Sequence, residues 1–324
     1  MKHLRDLPQD EIDLIWSHWR RPTVFGFMDK IDGTSLEYRI EGGLLTAVKS
    51  RNGKWVEPLN IPDDHWNNDI RAGAAFIDEL LKWIDVPMTE APFEGRAEVV
   101  HGKGRNVTLY ETHNDDQYYI YLTSTSPLKT EAAGKTIAAA IPVTTYTETD
   151  GVVKKITQDI VSIASFTKPK VLFPSGSEAV GKVIGLAPTS FVQADLNINK
   201  NRSSAGVIKS ARAARTALMT NITRDILTNK AMSRFMESVT TPEGVVVLTG
   251  EGGSVPPTPM CKLIHSEWES AHKVMTRIYS TLSNPESDLD GYMNRHEIVC
   301  MADPIRGRIH QEYLYQMWKR QNGR

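Results

Sequence analysis

Apolar and polar residues alternate strictly through Leu36-Glu37-Tyr38-Arg39-Ile40, the pattern of a strand with one buried face. The run before it, Val24-Phe25-Gly26-Phe27-Met28, is apolar and strand-like. Glu41-Gly42-Gly43 reads as a hairpin turn, Leu44 to Ser50 as the return strand, and Arg51-Asn52-Gly53 as its close. Ala75, Phe76, Leu80, Leu81 and Ile84 recur at helical spacing and predict a helix from Trp66 to Ile84. Phe93 to Val100 reads as a strand containing Glu98. Thr108 to Thr112 and Tyr118 to Thr123 read as a hairpin across Asn114-Asp115-Asp116. A sheet-rich half closes near residue 125. Ahead of it, residues 8–20 predict an amphipathic helix with acids in its first turn, bases at its end, and Ile12, Ile15, Trp16 and Trp19 on one face.

Beyond residue 125, Ala138–Tyr146 and Val171–Phe173 are possible strands among Gly, Pro and Ser turns. Ser203 to Val239 is helical territory. Lys209, Arg212, Arg215 and Arg224 there suit either a phosphate-gripping face or an ordinary charged helix face. Thr241-Pro242-Glu243-Gly244 breaks the helix, Val245 to Leu248 is a buried-type strand, Gly250 to Pro259 a loop, and Met260 to Ile264 another strand. Ser266 to Arg320 is mostly helical, with polar breaks at Asn284–Asp290 and Asp303-Pro304.

Length and composition narrow the class. A chain of 324 residues holds one large domain or a main domain with a smaller one. At 40% hydrophobic and 24% charged residues it reads as soluble and globular. A net charge of -1 restricts any nucleic-acid contact to a local patch. Cys261 and Cys300 make neither a disulfide framework nor a metal knuckle, which fits a reducing cytosol. The polar start, Met1-Lys2-His3-Leu4-Arg5-Asp6, lacks a signal-peptide core, and no run reaches the ~18 apolar residues of a membrane helix. The expectation is a cytoplasmic protein without membrane contact, with a monomer favoured.

The candidate chemistry centres on Lys30-Ile31-Asp32-Gly33, between the two strands that open the sheet-rich half. A nucleophilic lysine needs its charge suppressed, since the free amine has a pKa near ~10.4. Asp32 suits a metal or the reacting groups, and Gly33 permits close backbone approach to phosphate. The plain alternative is a solvated turn. Downstream lie Arg51, Glu98, Glu243 and Lys262. Two lysines, carboxylates, an arginine and an aromatic are the parts nucleotidyl transfer uses. Two weaker signals carry plainer readings. Ala133-Gly134-Lys135-Thr136 lacks the leading glycine of a phosphate loop, and His265, Glu269 and His272 read as a solvated helix face.

In this order the elements resemble the covalent nucleotidyltransferase superfamily of ATP-dependent RNA and DNA ligases and mRNA capping enzymes. Lys30-Ile31-Asp32-Gly33 resembles its motif I, Ser50-Arg51-Asn52-Gly53 motif Ia, Gly95-Arg96-Ala97-Glu98 motif III, Glu243-Gly244-Val245-Val246 motif IV, and Lys262 motif V, with Ile264 where a second lysine is usual. A competing motif IV is Thr149-Asp150-Gly151-Val152-Val153-Lys154, followed by Lys168 and Lys170. The resemblance implies an α+β fold. A nucleotidyltransferase (ATP-grasp-like ligase adenylation) domain of antiparallel sheets with flanking helices would span residues 1–265, with an insertion around 126–235. A small helical C-terminal region would follow over 266–324, as in several RNA ligases. It implies that Lys30 becomes lysyl-AMP and Lys262 meets the α-phosphate. Arg51 and Glu98 would contact ribose and phosphate, Tyr118 or Tyr119 would stack the nucleobase, and Glu243 and Asp32 would serve Mg²⁺ or Mn²⁺. Asp32 and Gly33 would also line the ATP site. The implied activity is ATP-dependent ligation of 5′-phosphate and 3′-hydroxyl ends, with RNA ahead of DNA. The alternatives are a minimal DNA ligase and a non-catalytic nucleic-acid-binding protein on a ligase scaffold.

Overall fold

The computed structural model describes residues 1–3, 6–8, 10–11, 25–84, 92–102, 104, 106–122, 136–165, 171–172, 239–249 and 258–324. Outside them lie most of the helix expected over 8–20, the phosphate-loop echo at 133–135, Lys168, Lys170, the loop at 250–257 and the Arg-rich helix through residue 238. The described strands are β1 (Lys2–His3), β2 (Phe25–Lys30), β3 (Thr34–Glu41), β4 (Leu44–Ser50), β5 (Phe93–His101), β6 (Leu109–Tyr110), β7 (Tyr118–Leu122), β8 (Thr136–Thr149), β9 (Val152–Ser165), β10 (Val171–Leu172), β11 (Val239–Thr240), β12 (Gly244–Thr249) and β13 (Thr258–Ile264). The helices are α1 (Asn68–Leu81), α2 (Ser266–Leu282), α3 (Leu289–Met293), α4 (His296–Val299) and α5 (Asp303–Gln321). This is an α+β chain in which the strands of the five-stranded sheet, the four-stranded sheet and the long hairpin pair antiparallel, apart from β1 with β13. Among the described residues no helix is long and apolar enough to cross a membrane.

Two compact units divide the chain, one of residues 1–30 and 170–268, the other of 31–169 and 269–324. The first is built on a five-stranded sheet in the order β1-β13-β12-β2-β10. Its central strand β12 is a run of β-branched residues, which favour a pleated surface. Val245 and Val246 are both buried although neighbours on a strand point to opposite sides, so both faces of this strand are covered.

The second unit holds the sheet β4-β3-β5-β7. The alternation that predicts β3 is realised directly. Leu36, Tyr38 and Ile40 point into a core with Ala97, Val99, Ile120 and Leu122, against Phe76, Ile77 and Leu80 of α1. β8 and β9 form a long hairpin whose turn, Asp150-Gly151, has φ of 53° and 75°. Both values are positive, as a type I′ turn demands. The apolar positions Ile137, Ile141 and Val143 of β8 join the same core. α5 lies along this hairpin. Gln311 accepts from the Tyr146 N–H and donates to its carbonyl, and Gln321 does the same for the Val153 N–H and the Gly151 carbonyl.

Two expectations are corrected here. β7 pairs with β5 rather than forming a hairpin with residues 108–112, because the intervening stretch closes on itself through His113 N–H to the Tyr110 carbonyl and Gln117 N–H to the Asn114 carbonyl. The C-terminal helices group with residues 31–169 rather than standing apart from residue 266, since the glutamines of α5 serve as partners for the hairpin's backbone.

Candidate functional site

Lys30 ends β2, and Glu243 immediately precedes β12, whose first residue Gly244 is the register partner of Lys30. The Lys30 ammonium Nζ stands 2.7 Å from Glu243 Oε1, with side-chain exposures of 21% and 7%. The local backbone explains how the carboxylate is held. Gly244 has φ of 146°, and a Cβ there would collide with the Leu263 carbonyl of β13, so only glycine lets β12 start so close to its neighbour. The His265 N–H donates to the Glu243 carbonyl at 2.8 Å and ties the start of β12 to the residue after β13. Thr241, a β-branched residue, has φ of 56° directly before Pro242, a strain of order ~1–3 kcal/mol concentrated two residues from Glu243.

Sheet register carries Lys262 to the same face. Met28, Val246 and Lys262 are partners in one row across β2, β12 and β13, while Lys30, Gly244 and Ile264 form the next row. Alternation puts both rows on one side of the sheet. Lys30 and Lys262 are therefore two strands apart, about 10 Å across the sheet by strand spacing. His3 of β1 is the register partner of Lys262. No local pattern announces His3, because its neighbour lies some 260 positions along the chain. The opposite face carries Asp29, Val245, Leu263 and Cys261. Burial pushes the Cys261 thiol up to about 12, which makes it an inert core group rather than a nucleophile.

The remaining expected site residues belong to the other unit. Glu98 on β5 is the register partner of Ser35 and Tyr121, on the face away from the core. Arg51 is exposed in the turn after β4. Of the two tyrosines offered for the nucleobase, Tyr118 is 1% exposed, stacked on His101 with ring centroids 4.3 Å apart, and lies on the core face opposite Glu98. A ring so enclosed has no free face for a base. Alternation gives the Glu98 face to Tyr119 and Tyr121, and His113 joins them. Its ring lies 3.9 Å from Tyr119 between centroids, and its Nε2 is 2.6 Å from Tyr121 Oη. Burial pushes the His113 imidazole down to about 4 and the Tyr121 hydroxyl well above the usual tyrosine range. The sequence reading missed His113, whose only signal is a histidine beside closely spaced tyrosines.

Asp32 and Gly33 pack against the second unit's sheet. The Asp32 carboxylate turns inward to accept the Thr108 N–H, and a Cβ on Gly33 would stand 2.6 Å from the Val99 carbonyl, so this glycine admits β5 rather than a phosphate. The competing motif IV lies on the long hairpin of the second unit. Asp150 is exposed at the tip of the β8–β9 hairpin, where the turn geometry accounts for the Asp-Gly pair. Glu269 pairs with Lys273 along α2, and no group of three His, Cys, Asp or Glu that could hold a metal occurs among the described residues. A magnesium ion needs no such cage, since it keeps several waters and takes one or two carboxylates plus substrate phosphates. Glu243, at the mouth of β12, and Asp32, with one carboxylate oxygen bonded to the Thr108 N–H, are the carboxylates the sequence assigns to that part. The chain matches no protein-family model, and no curated protein matches it in sequence.

Proposed function

We propose that this protein is an ATP-dependent polynucleotide ligase acting through a lysyl-AMP intermediate, with RNA as the substrate class. The observation that carries the reading is the Lys30–Glu243 pair at 2.7 Å, with Lys262 on the same sheet face. Lys30 Nζ attacks the α-phosphorus of ATP. The N–P bond forms as the bond to pyrophosphate breaks, and the amine gives up its proton. AMP then passes to a 5′-phosphate, and a 3′-hydroxyl displaces it. Lys262 stands to draw the α-phosphate toward the face that bears Lys30. Mg²⁺ or Mn²⁺, held by Glu243, would supply neutralisation of the phosphate charge.

The test is incubation with Mg²⁺ and α-labelled ATP or GTP, followed by acid quench. Label from ATP that disappears in Lys30→Ala supports the ligase; label from neither nucleotide sinks it. Offering the labelled enzyme nicked RNA, nicked DNA and single-stranded RNA then assigns the substrate, with DNA-only joining indicating the minimal DNA ligase. One observation favours a second reading, a non-catalytic nucleic-acid-binding protein. The position on β13 in the row of Lys30 is Ile264, an apolar residue that gives an incoming phosphate no charge.

A further inference from the structure

Asp32 stands two residues past Lys30, and three of its bonds lie inside the unit of residues 31–169. Its Oδ2 accepts the Thr108 N–H at 2.8 Å. Its own N–H donates to Tyr110 Oη at 2.7 Å, and its carbonyl accepts from the same hydroxyl at 3.0 Å. One phenol thus uses both its donor and an acceptor site on the two backbone groups of a single residue. Asp32, Thr108 and Tyr110 are all at least nine-tenths buried. Both partners are more than seventy residues downstream, so these bonds hold a distant segment and are not local turn chemistry.

The segment so held leads straight to the aromatic residues on the Glu98 face. The Tyr110 ring meets His113 edge-on at 4.7 Å between centroids, and His113 in turn touches Tyr119 and bonds Tyr121, the cross-strand partner of Glu98. A carboxylate accepting a backbone N–H makes a charge-assisted bond, stronger than a neutral one. That bond commits one of its two oxygens to the interior of the unit.

We infer that Asp32 is a positioning residue, a latch that orders residues 106–117 and so sets the His113–Tyr119–Tyr121 wall beside Glu98, rather than a metal ligand. Any consequence for ATP rests on the ligase reading. The bonds themselves do not depend on that reading. The distinction has chemical content: a latch needs an acceptor atom at this position, whereas a metal ligand needs the negative charge.

The experiment compares Asp32→Ala, Asp32→Asn and Tyr110→Phe in two assays on the full chain. Hydrogen exchange of the 106–117 peptide, read by mass spectrometry, should quicken at least tenfold in Asp32→Ala and Tyr110→Phe. It should stay within about threefold of wild type in Asp32→Asn, whose amide oxygen can still accept from Thr108. In lysine labelling, Asp32→Asn should leave the half-saturating Mg²⁺ within about threefold of wild type. Unaltered exchange in Tyr110→Phe and Asp32→Ala overturns the latch. So does a tenfold rise in half-saturating Mg²⁺ for Asp32→Asn with exchange unaltered, which would make Asp32 a ligand. If wild type takes no label, the ligase reading falls while exchange alone decides the latch.

Discussion

The Lys30–Glu243 pair lends itself to a double-mutant cycle of Lys30→Met, Glu243→Gln and the two together. At 2.7 Å and an effective dielectric of about 20, the gross attraction is about 6 kcal/mol, much of it offset by desolvating two ions. Glu243 is the more enclosed partner, so removing the lysine leaves a buried carboxylate without its counter-charge at that contact, a loss of about 3–4 kcal/mol. Removing the glutamate strands an ammonium that retains some solvent, a loss of about 2–3 kcal/mol. In the double variant neither charge remains, and the cost should undercut the sum of the singles by about 2–3 kcal/mol. A chain with two compact units invites more than one transition, so a single global midpoint is the wrong measure. The assay is hydrogen exchange of peptides from β2 and β12 across a urea series, which reads the sheet that bears the pair. Single costs below about 1 kcal/mol that simply add within ~0.5 kcal/mol would mean that water already screens the pair, and the contact could not be what places the lysine.

Four further outcomes follow from the same geometry. Gly244→Ala, at φ of 146° and against the Leu263 carbonyl, should cost at least about 2 kcal/mol and abolish lysine labelling by shifting Glu243; labelling at the wild-type rate would contradict it. Asp150→Ala should leave the metal dependence of labelling unmoved, because the residue belongs to a hairpin turn; a shifted Mg²⁺ titration would restore the competing motif IV. Gln311→Ala strips two bonds from the buried Tyr146 peptide groups and should cost about 2–3 kcal/mol in thermal or urea unfolding, with Gln311→Glu recovering part through its retained acceptor. His113 titrates near ~6.5 when unfolded but about 4 when folded, because burial disfavours its charged form. The unfolded state therefore takes its proton first, and stability should fall by up to about 3 kcal/mol between pH ~6.5 and ~4, a slope that His113→Phe should remove.

The parts of this fold that were legible in the sequence are those that local periodicity dictates. Leu36, Tyr38 and Ile40 announce one face of β3, and the β4 bounds and the pair of polar breaks among the C-terminal helices follow from equally short-range signals. Strand partners do not follow from such signals. The hairpin expected across Asn114–Asp116 fails because β5 offers β7 a continuous apolar row, Ala97 and Val99 against Leu122 and Ile120, which residues 108–112 lack. The same limit governs the site. Lys30, Glu243 and Lys262 are legible as residue types at plausible separations, but their common face depends on the β2–β12–β13 register, fixed by a strand more than two hundred residues from β2. The choice between Tyr118 and Tyr119 stays open in the sequence for the opposite reason. Neighbouring aromatics on one strand are equivalent in composition and separate only when the core takes one of them.

The Lys-x-Asp-Gly stretch thereby splits into letters of two kinds. Gly33 is required because β5 passes too close for any side chain, and Asp32 is accounted for by the Thr108 and Tyr110 bonds. Packing explains both without any substrate. Lys30 is different. A lysine drawn against an enclosed glutamate at a strand end gains little over a well-packed apolar pair of the same volume, because desolvation consumes most of the attraction. Glu243 is held there by a glycine no other residue can replace and beside a threonine in strained backbone, costs that a fold selected for stability alone has no reason to accept. The lysine is the letter that an apolar pair could replace at little net cost, and that makes it the residue on which a chemical test bears most directly.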